Sequence, residues 1–167
     1  APVIEIFRDR SPSMSVPPAK AALCDYLVGL FTAAAPTCTV VEREEPKTPR
    51  SVRILLGDTL TEDDPDAVLA RFAHKAAGVI VVRILSREET APAAGGASEL
   101  VDAETGERRE LVLDADTVGA YLQALADHTA RWQSACRRHA AHFLDLGADL
   151  PRRERLAALA AAGILEG

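Results

Sequence analysis

Asp9, Ser11 and Ser13 follow one another at intervals of two in the run Asp9-Arg10-Ser11-Pro12-Ser13-Met14, directly after the β-branched stretch 3–7. A second acid, Asp58, follows Gly57 at the end of another apolar stretch, residues 52–56. These side chains are hard oxygen donors. A divalent cation such as Mg²⁺ wants near-octahedral oxygen coordination and keeps several waters. An extended or tightly turned loop can aim two hydroxyls spaced by two at one point, while Asp9 and Asp58 hold the ion's waters or bind it directly. Hydroxyl ligands leave the ion more positive than a cage of carboxylates would. Such an ion still attracts an acidic side chain from a partner, which suits recognition better than catalysis. Mn²⁺ accepts the same ligands as Mg²⁺. Asp and Ser also cap turns and helix starts, so the first three residues have a second reading as the turn before the helix that follows Pro17.

Side chains at strand tips need strands behind them. Residues 3–7 (Val-Ile-Glu-Ile-Phe) read as the first strand. Residues 19–35 read as a helix with Leu23, Leu27, Leu30 and Phe31 on one stripe, widened by Cys24, Tyr26 and Val28 and stopped by Pro36. Residues 37–41 read as a strand, and the charged, proline-bearing stretch 42–51 as a loop. After the strand 52–56, Asp64 offers an N-cap, Pro65 a first helical position and Gly78 a left-handed stop. Residues 79–85 are apolar nearly throughout, as in a strand covered on both faces. Residues 90–97 read as a loop, with Gly95-Gly96 as a flexible joint. Leu100-Val101 and Leu111-Val112-Leu113 flank Glu104-Thr105-Gly106-Glu107 and read as a hairpin turning at Gly106. Asp116 is placed to cap a long helix with the stripe Val118, Tyr121, Leu122, Leu125, Thr129, Trp132 and Cys136. Residues 143–146 form the last strand, and Pro151 opens a final helix closing at Gly163. Strands separated by helix-length patterns predict βαβ units and a parallel sheet with helices on both faces. Ligands of such sheets gather beyond the carboxyl ends of the strands, where Asp9 and Asp58 lie.

The run Asp9-Arg10-Ser11-Pro12-Ser13-Met14 resembles the D-x-S-x-S of the metal-ion-dependent adhesion site in von Willebrand factor type A domains, and Asp58 resembles the aspartate at the tip of a later strand of that family. Gly57-Asp58, Glu88-Glu89 with Pro92, the run from Leu100 to Glu107 (Leu-Val-Asp-Ala-Glu-Thr-Gly-Glu), Tyr121 and Cys136 resemble more specifically a bacterial family of unknown function whose genes neighbour those of MoxR-type AAA+ ATPases. The likeness spans most of the stretch from Val3 to Leu165. It implies one α/β domain over residues 1–167, a three-layer Rossmann-like fold with a mostly parallel sheet and an added β-hairpin. It also implies a non-enzymatic interaction module with Mg²⁺ or Mn²⁺ on Asp9, Ser11, Ser13 and Asp58, and a MoxR-type AAA+ ATPase as protein partner. The chain departs from the family in its middle. Family members carry a further strand, a helix and a ligating threonine before the aspartate strand. Residues 37–51 are too few for all of these, and none of Thr48, Thr59 and Thr61 stands in the threonine's place.

Two other readings stay open. Asp9 is placed like the phosphoryl-accepting aspartate of haloacid-dehalogenase-like phosphatases, with Asp58 holding Mg²⁺. That pattern wants a second acid two residues on, where Ser11 stands, and a lysine at a strand end, whereas Lys47 and Lys75 fall in loop and helix. The other is a degenerate module of the same fold without a working metal site.

Composition narrows the partners. The 167 residues carry 19 basic and 25 acidic side chains, a net charge of −6, which is the wrong sign for a phosphate-backbone binder. Apolar residues are 48% and aromatic ones 4%, so Ala, Leu and Val must fill the core. No apolar run approaches the roughly 18 residues of a membrane span. No basic-then-apolar leader stands at the start, which with three scattered cysteines (Cys24, Cys38, Cys136) predicts a cytoplasmic protein with reduced thiols. Cys136, His139 and His142 straddle a helix end and a strand start, so they are not expected to converge on zinc. His74 and His128 read as solvated or capping groups, and Arg137-Arg138 with Arg152, Arg153 and Arg155 as solvated faces. Neither a G-x-x-x-x-G-K-[ST] loop nor a G-x-G-x-x-G fingerprint is present, so nucleotide binding has no support.

Overall fold

A computed structural model describes residues 1–95, 97–102 and 105–164. Ala103, Glu104, Gly96 and Leu165, which figure in the sequence reading, lie outside the described residues. The elements are β1 (Val3–Arg8), a 3₁₀ turn (Pro12–Ser15), α1 (Pro18–Ala34), β2 (Thr39–Glu42), β3 (Val52–Gly57), α2 (Pro65–Ala73), β4 (Gly78–Leu85), α3 (Arg87–Thr90), β5 (Ala97–Val101), β6 (Arg108–Val112), α4 (Ala115–Arg138), β7 (His142–Gly147) and α5 (Arg152–Ala161). The main sheet runs β2-β1-β3-β4-β7 and every neighbouring pair is parallel, while β5 and β6 form a separate antiparallel hairpin. This is the α/β architecture expected from the strand–helix alternation.

Each face of the sheet has its own apolar core, because successive strand residues point to opposite sides. Ile6, Ile54, Leu56, Val82, Ile84 and Leu146 meet α1 and α5 on one face. On the other, Phe7, Val79 and Val81 meet α2 and α4. In α1 the buried residues are Lys20, Leu23, Cys24, Leu27 and Phe31, the i, i+3/i+4 stripe of a helix lying on a sheet. Burial pushes the Cys24 and Cys136 thiols up to about 11, so both behave as small apolar fillers. Gly106, at φ 73, makes the hairpin turn, and Gly163, at φ 68, follows the last helix.

Three local expectations are corrected. The left-handed residue after α2 is Lys75, at φ 56, and Gly78 instead begins β4, because Arg50 N–H claims the Lys75 carbonyl at 2.7 Å and draws the chain straight into the sheet. The N-cap of α4 is Asp114, whose side chain accepts from Thr117 N, and Asp116 sits in the first turn. Only the C-terminal half of the α4 stripe is buried, at Trp132, Ala135 and Cys136, whereas Tyr121 and Leu122 are 39% and 38% exposed. The sheet extends under the helix's C-terminal half alone.

Strand order reverses between β1 and β3. From β1 the chain passes through α1 to β2 on one side, then returns past β1 to β3 through residues 43–51, with no helix in this crossover. A polar cluster organises that connection instead. The fully buried Glu5 carboxylate accepts from Lys47 N and Thr48 N at 3.1 Å each and from Ser51 Oγ at 2.7 Å, with Arg43 Nε at 2.9 Å and Arg53 Nε at 3.4 Å. Arg53, opposite Glu5 in the β1–β3 register, also donates to the Phe72 and His74 carbonyls, tying the loop to the end of α2. Burial raises the Glu5 pKa, but the bonds from Ser51, Lys47 and Thr48 outweigh it and leave the carboxyl below its ordinary value.

Replacing Glu5 with Gln strips the charge facing Arg53 and is expected to cost about 3 kcal/mol in urea unfolding. The sign of the pH dependence follows from a lowered pKa. The carboxylate's contribution is complete above the ordinary glutamate value of about 4.3 and is lost as pH falls through the lower native value, so the acid limb of the stability curve should flatten in Glu5→Gln.

Candidate functional site

The tips of β1 and β3 flank the strand-order reversal, where sheets of this type form their ligand crevices. Asp9 follows β1, and its backbone N–H bonds the Leu56 carbonyl at 2.8 Å, so the two tips are stitched together. Gly57 permits this closeness. A Cβ placed on it would lie 2.7 Å from the Asp9 Cβ. Asp9 Oδ1 accepts from Ser11 N at 2.8 Å, bending the chain into the 3₁₀ turn whose buried Met14 anchors the loop in the core.

This turn brings three of the four expected residues into one hydrogen-bonded chain. Ser11 Oγ lies 3.0 Å from Ser13 Oγ, and Ser13 donates to Asp58 Oδ2 at 2.9 Å. Asp9 shapes the loop from behind through its bond to the Ser11 backbone, and together with Ser11 it borders a cavity of about 240 Å³ shared with Arg8 and Arg10. Asp58 is 1% exposed, its other oxygen accepting from Leu60 N at 3.0 Å. The next residue, Thr59, adopts φ 58, an uncommon conformation for a β-branched residue, and its carbonyl lies 2.7 Å from His128 Nε2 on α4.

The residue that sequence reasoning missed is Lys20. Its ammonium is fully buried, 3.0 Å from Asp58 Oδ2 and 2.8 Å from Glu89 Oε1. Burial draws the lysine pKa down, but bonds to Glu89 and Asp58 and their negative charges more than offset it, so the value stands above that of an ordinary lysine. Glu89 is held in turn. Its Oε2 accepts from Ser86 N at 2.7 Å in a capping box at the start of α3, and its carbonyl accepts from Tyr121 Oη at 2.7 Å. A signal was present in the sequence: Lys20 lies three and four residues before Leu23 and Cys24, on the apolar stripe of α1. A charged residue on such a stripe calls for a buried counter-charge.

The oxygen spacing can be tested against a metal ion. Ligands about 2.1 Å from Mg²⁺ stand about 3.0 Å apart along an octahedral edge, so the 3.0 and 2.9 Å separations match that edge. The donor set does not fit a resident dication. One carboxylate faces the serines, both of its oxygens already accept hydrogen bonds, and it is paired to an ammonium. Among the described residues no group of three His, Cys, Asp or Glu side chains could hold a metal ion. Of the three threonines weighed for the missing ligand, Thr48 gives its N–H to Glu5, while Thr59 and Thr61 line a cavity over β1 and β3 on the α2 side of the sheet. Cys136 is buried in the core and His139 pairs with Asp66 at 3.3 Å, while His142 is exposed.

Lys20→Met leaves Asp58 and Glu89 facing each other without a cation and should cost about 3–5 kcal/mol in urea unfolding, whereas pairing it with Asp58→Asn should recover part of the loss. The native lysine pKa is raised, so its contribution holds below the ordinary value of about 10.4 and disappears as pH climbs through the native value. Thermal melts between about pH 9 and 12 should therefore fall more steeply for the wild type than for Lys20→Met. At Gly57, alanine should cost about 1–3 kcal/mol through overpacking against Asp9. At Gly29, within α1 and with open space around its Cβ position, alanine should stabilise by up to about 1 kcal/mol.

Comparison with protein-family models, with curated proteins and with solved structures gave no match.

Proposed function

We propose that this chain is a non-enzymatic protein-interaction module resembling von Willebrand factor type A domains, in which the Lys20 ammonium takes the electrostatic part otherwise played by a divalent cation. The observation that carries this reading is the buried Lys20 bridge between Asp58 and Glu89. It neutralises the carboxylate behind the serine loop from within. The contact surface is the loop itself with its flanking cations. Arg10 is 74% exposed, and its one ion pair among the described residues is a weak contact with Glu42 at 3.5 Å, which leaves it able to meet an acidic side chain of a partner. A MoxR-type AAA+ ATPase is the partner class that the sequence resemblance implies.

The metal-loaded reading keeps one argument, the octahedral spacing of Ser11, Ser13 and Asp58. It requires the ion to displace Lys20 from Asp58. The phosphatase reading has less support, since Ser11 stands where the second acid belongs and the buried lysine contacts Asp58 and Glu89.

Melting with and without millimolar Mg²⁺ or Mn²⁺ separates these readings, because an ion bound only by the native state raises the midpoint by mass action. The expected result is an unchanged midpoint. A rise that vanishes in Ser13→Ala would overturn the proposal in favour of a metal-dependent surface. Capture of a MoxR-type ATPase should persist in EDTA and weaken at least about fivefold in Arg10→Glu, as for a lost charge contact worth about 1 kcal/mol. Loss of capture in EDTA alone would contradict the ammonium's role.

A further inference from the structure

Where residues 43–51 cross without a helix, the sheet face beside α2 keeps a cavity of about 210 Å³. Its floor is apolar and comprises Phe7, Leu55, Val81, Phe72 and Trp132, with Phe7 and Phe72 edge to face at 4.7 Å. Three buried groups of its lining residues lack a hydrogen-bond partner: Trp132 Nε1, Thr59 Oγ1 and Arg43 Nε, the last of them ion-paired with Glu5. Buried donors are seldom left this way in a finished core. Arg43 and Arg71 stand at the rim. Arg43 is held by Glu5 through Nε at 2.9 Å, and its terminal nitrogens make no hydrogen bond among the described residues. Arg71 lies over the Phe72 ring at 4.9 Å, and its contact with Glu45, at 3.5 Å between two exposed side chains, is weak. The wall also carries Asp9, Glu44 and Asp63. The first is turned to Ser11 N, and the other two are exposed to solvent.

We propose that this cavity binds a small apolar carboxylate, no larger than one aromatic ring on a short chain. The ring lies on the Phe7–Leu55–Val81 floor, where burial of hydrocarbon supplies affinity. The carboxylate is gripped by Arg43 and Arg71, whose guanidinium forks match it. The proposal does not rest on the reading of the serine loop, which lies across the β1 tip.

Trp132 is the chain's one tryptophan, so its emission reports on this cavity directly. The probe is 3-phenylpropionate, with 3-phenylpropionamide as its uncharged counterpart. Titration of the full chain should give a saturable emission change with Kd below about 1 mM. Binding should weaken at least about tenfold for the amide and for Arg71→Gln, a rim variant that spares the fold. It should vanish in Val68→Phe, which fills the cavity. Absence of saturation by about 10 mM would overturn the proposal. Equal binding of acid and amide would also overturn it, by showing a pocket for a neutral side chain. Indifference to both Arg71→Gln and Val68→Phe would place the ligand elsewhere and so overturn it too.

Discussion

An ammonium group removed from water must find its compensation within hydrogen-bond reach, and Lys20 finds it in two carboxylates that arrive from different parts of the chain. Asp58 comes from the tip of β3 and Glu89 from the short helix after β4. The requirement therefore fixes three elements relative to one another. α1 must lie with its first turn over the tips of the strands, β3 must end where Asp58 meets it, and α3 must start where its capping box turns Glu89 inward. The serine loop inherits its geometry from this arrangement, because Ser13 donates to the same Asp58 oxygen that the lysine holds. Breaking such a pair on one side only leaves a charge buried alone, which is far more costly than never having built the pair.

A second polar cluster solves a different problem. Parallel strands usually connect through a helix that covers the sheet, and the passage from β2 to β3 lacks one. Glu5 and Arg53 stand on adjacent strands and bind backbone groups of the crossing loop and of the end of α2, so hydrogen bonds replace apolar helix packing. The solution is local. Towards the tips of β1 and β3 the same face is left with an apolar floor beneath a charged rim.

The loop after β3 is also tied to α4. His128 Nε2 approaches the Thr59 carbonyl and therefore carries its proton on that nitrogen, while Tyr121 donates to the Glu89 carbonyl. The N-terminal half of α4, barely buried against the sheet, is thus attached to both acids' neighbourhoods by single hydrogen bonds. Helices held in this way belong to the less protected part of a fold.

Much of this protein is legible from patterns of short range. Alternating apolar strands and striped helices determine an α/β sheet with a hairpin appended, and the positions of Asp9 and Asp58 directly after two strands put them at the crevice. The spacing of Ser11 and Ser13 determines that their hydroxyls can meet. Helix boundaries slipped where a longer-range bond decided them, as at Lys75, whose carbonyl is claimed by Arg50. What only the tertiary structure decided is the charge at the site. The sequence places a lysine on a buried stripe, but which carboxylates it meets depends on how α1, β3 and α3 come together in space. The cation found beside this cluster of oxygens is a side chain 38 residues from Asp58 and 69 from Glu89. No spacing rule reaches that far, because the partners meet through space and not along the chain.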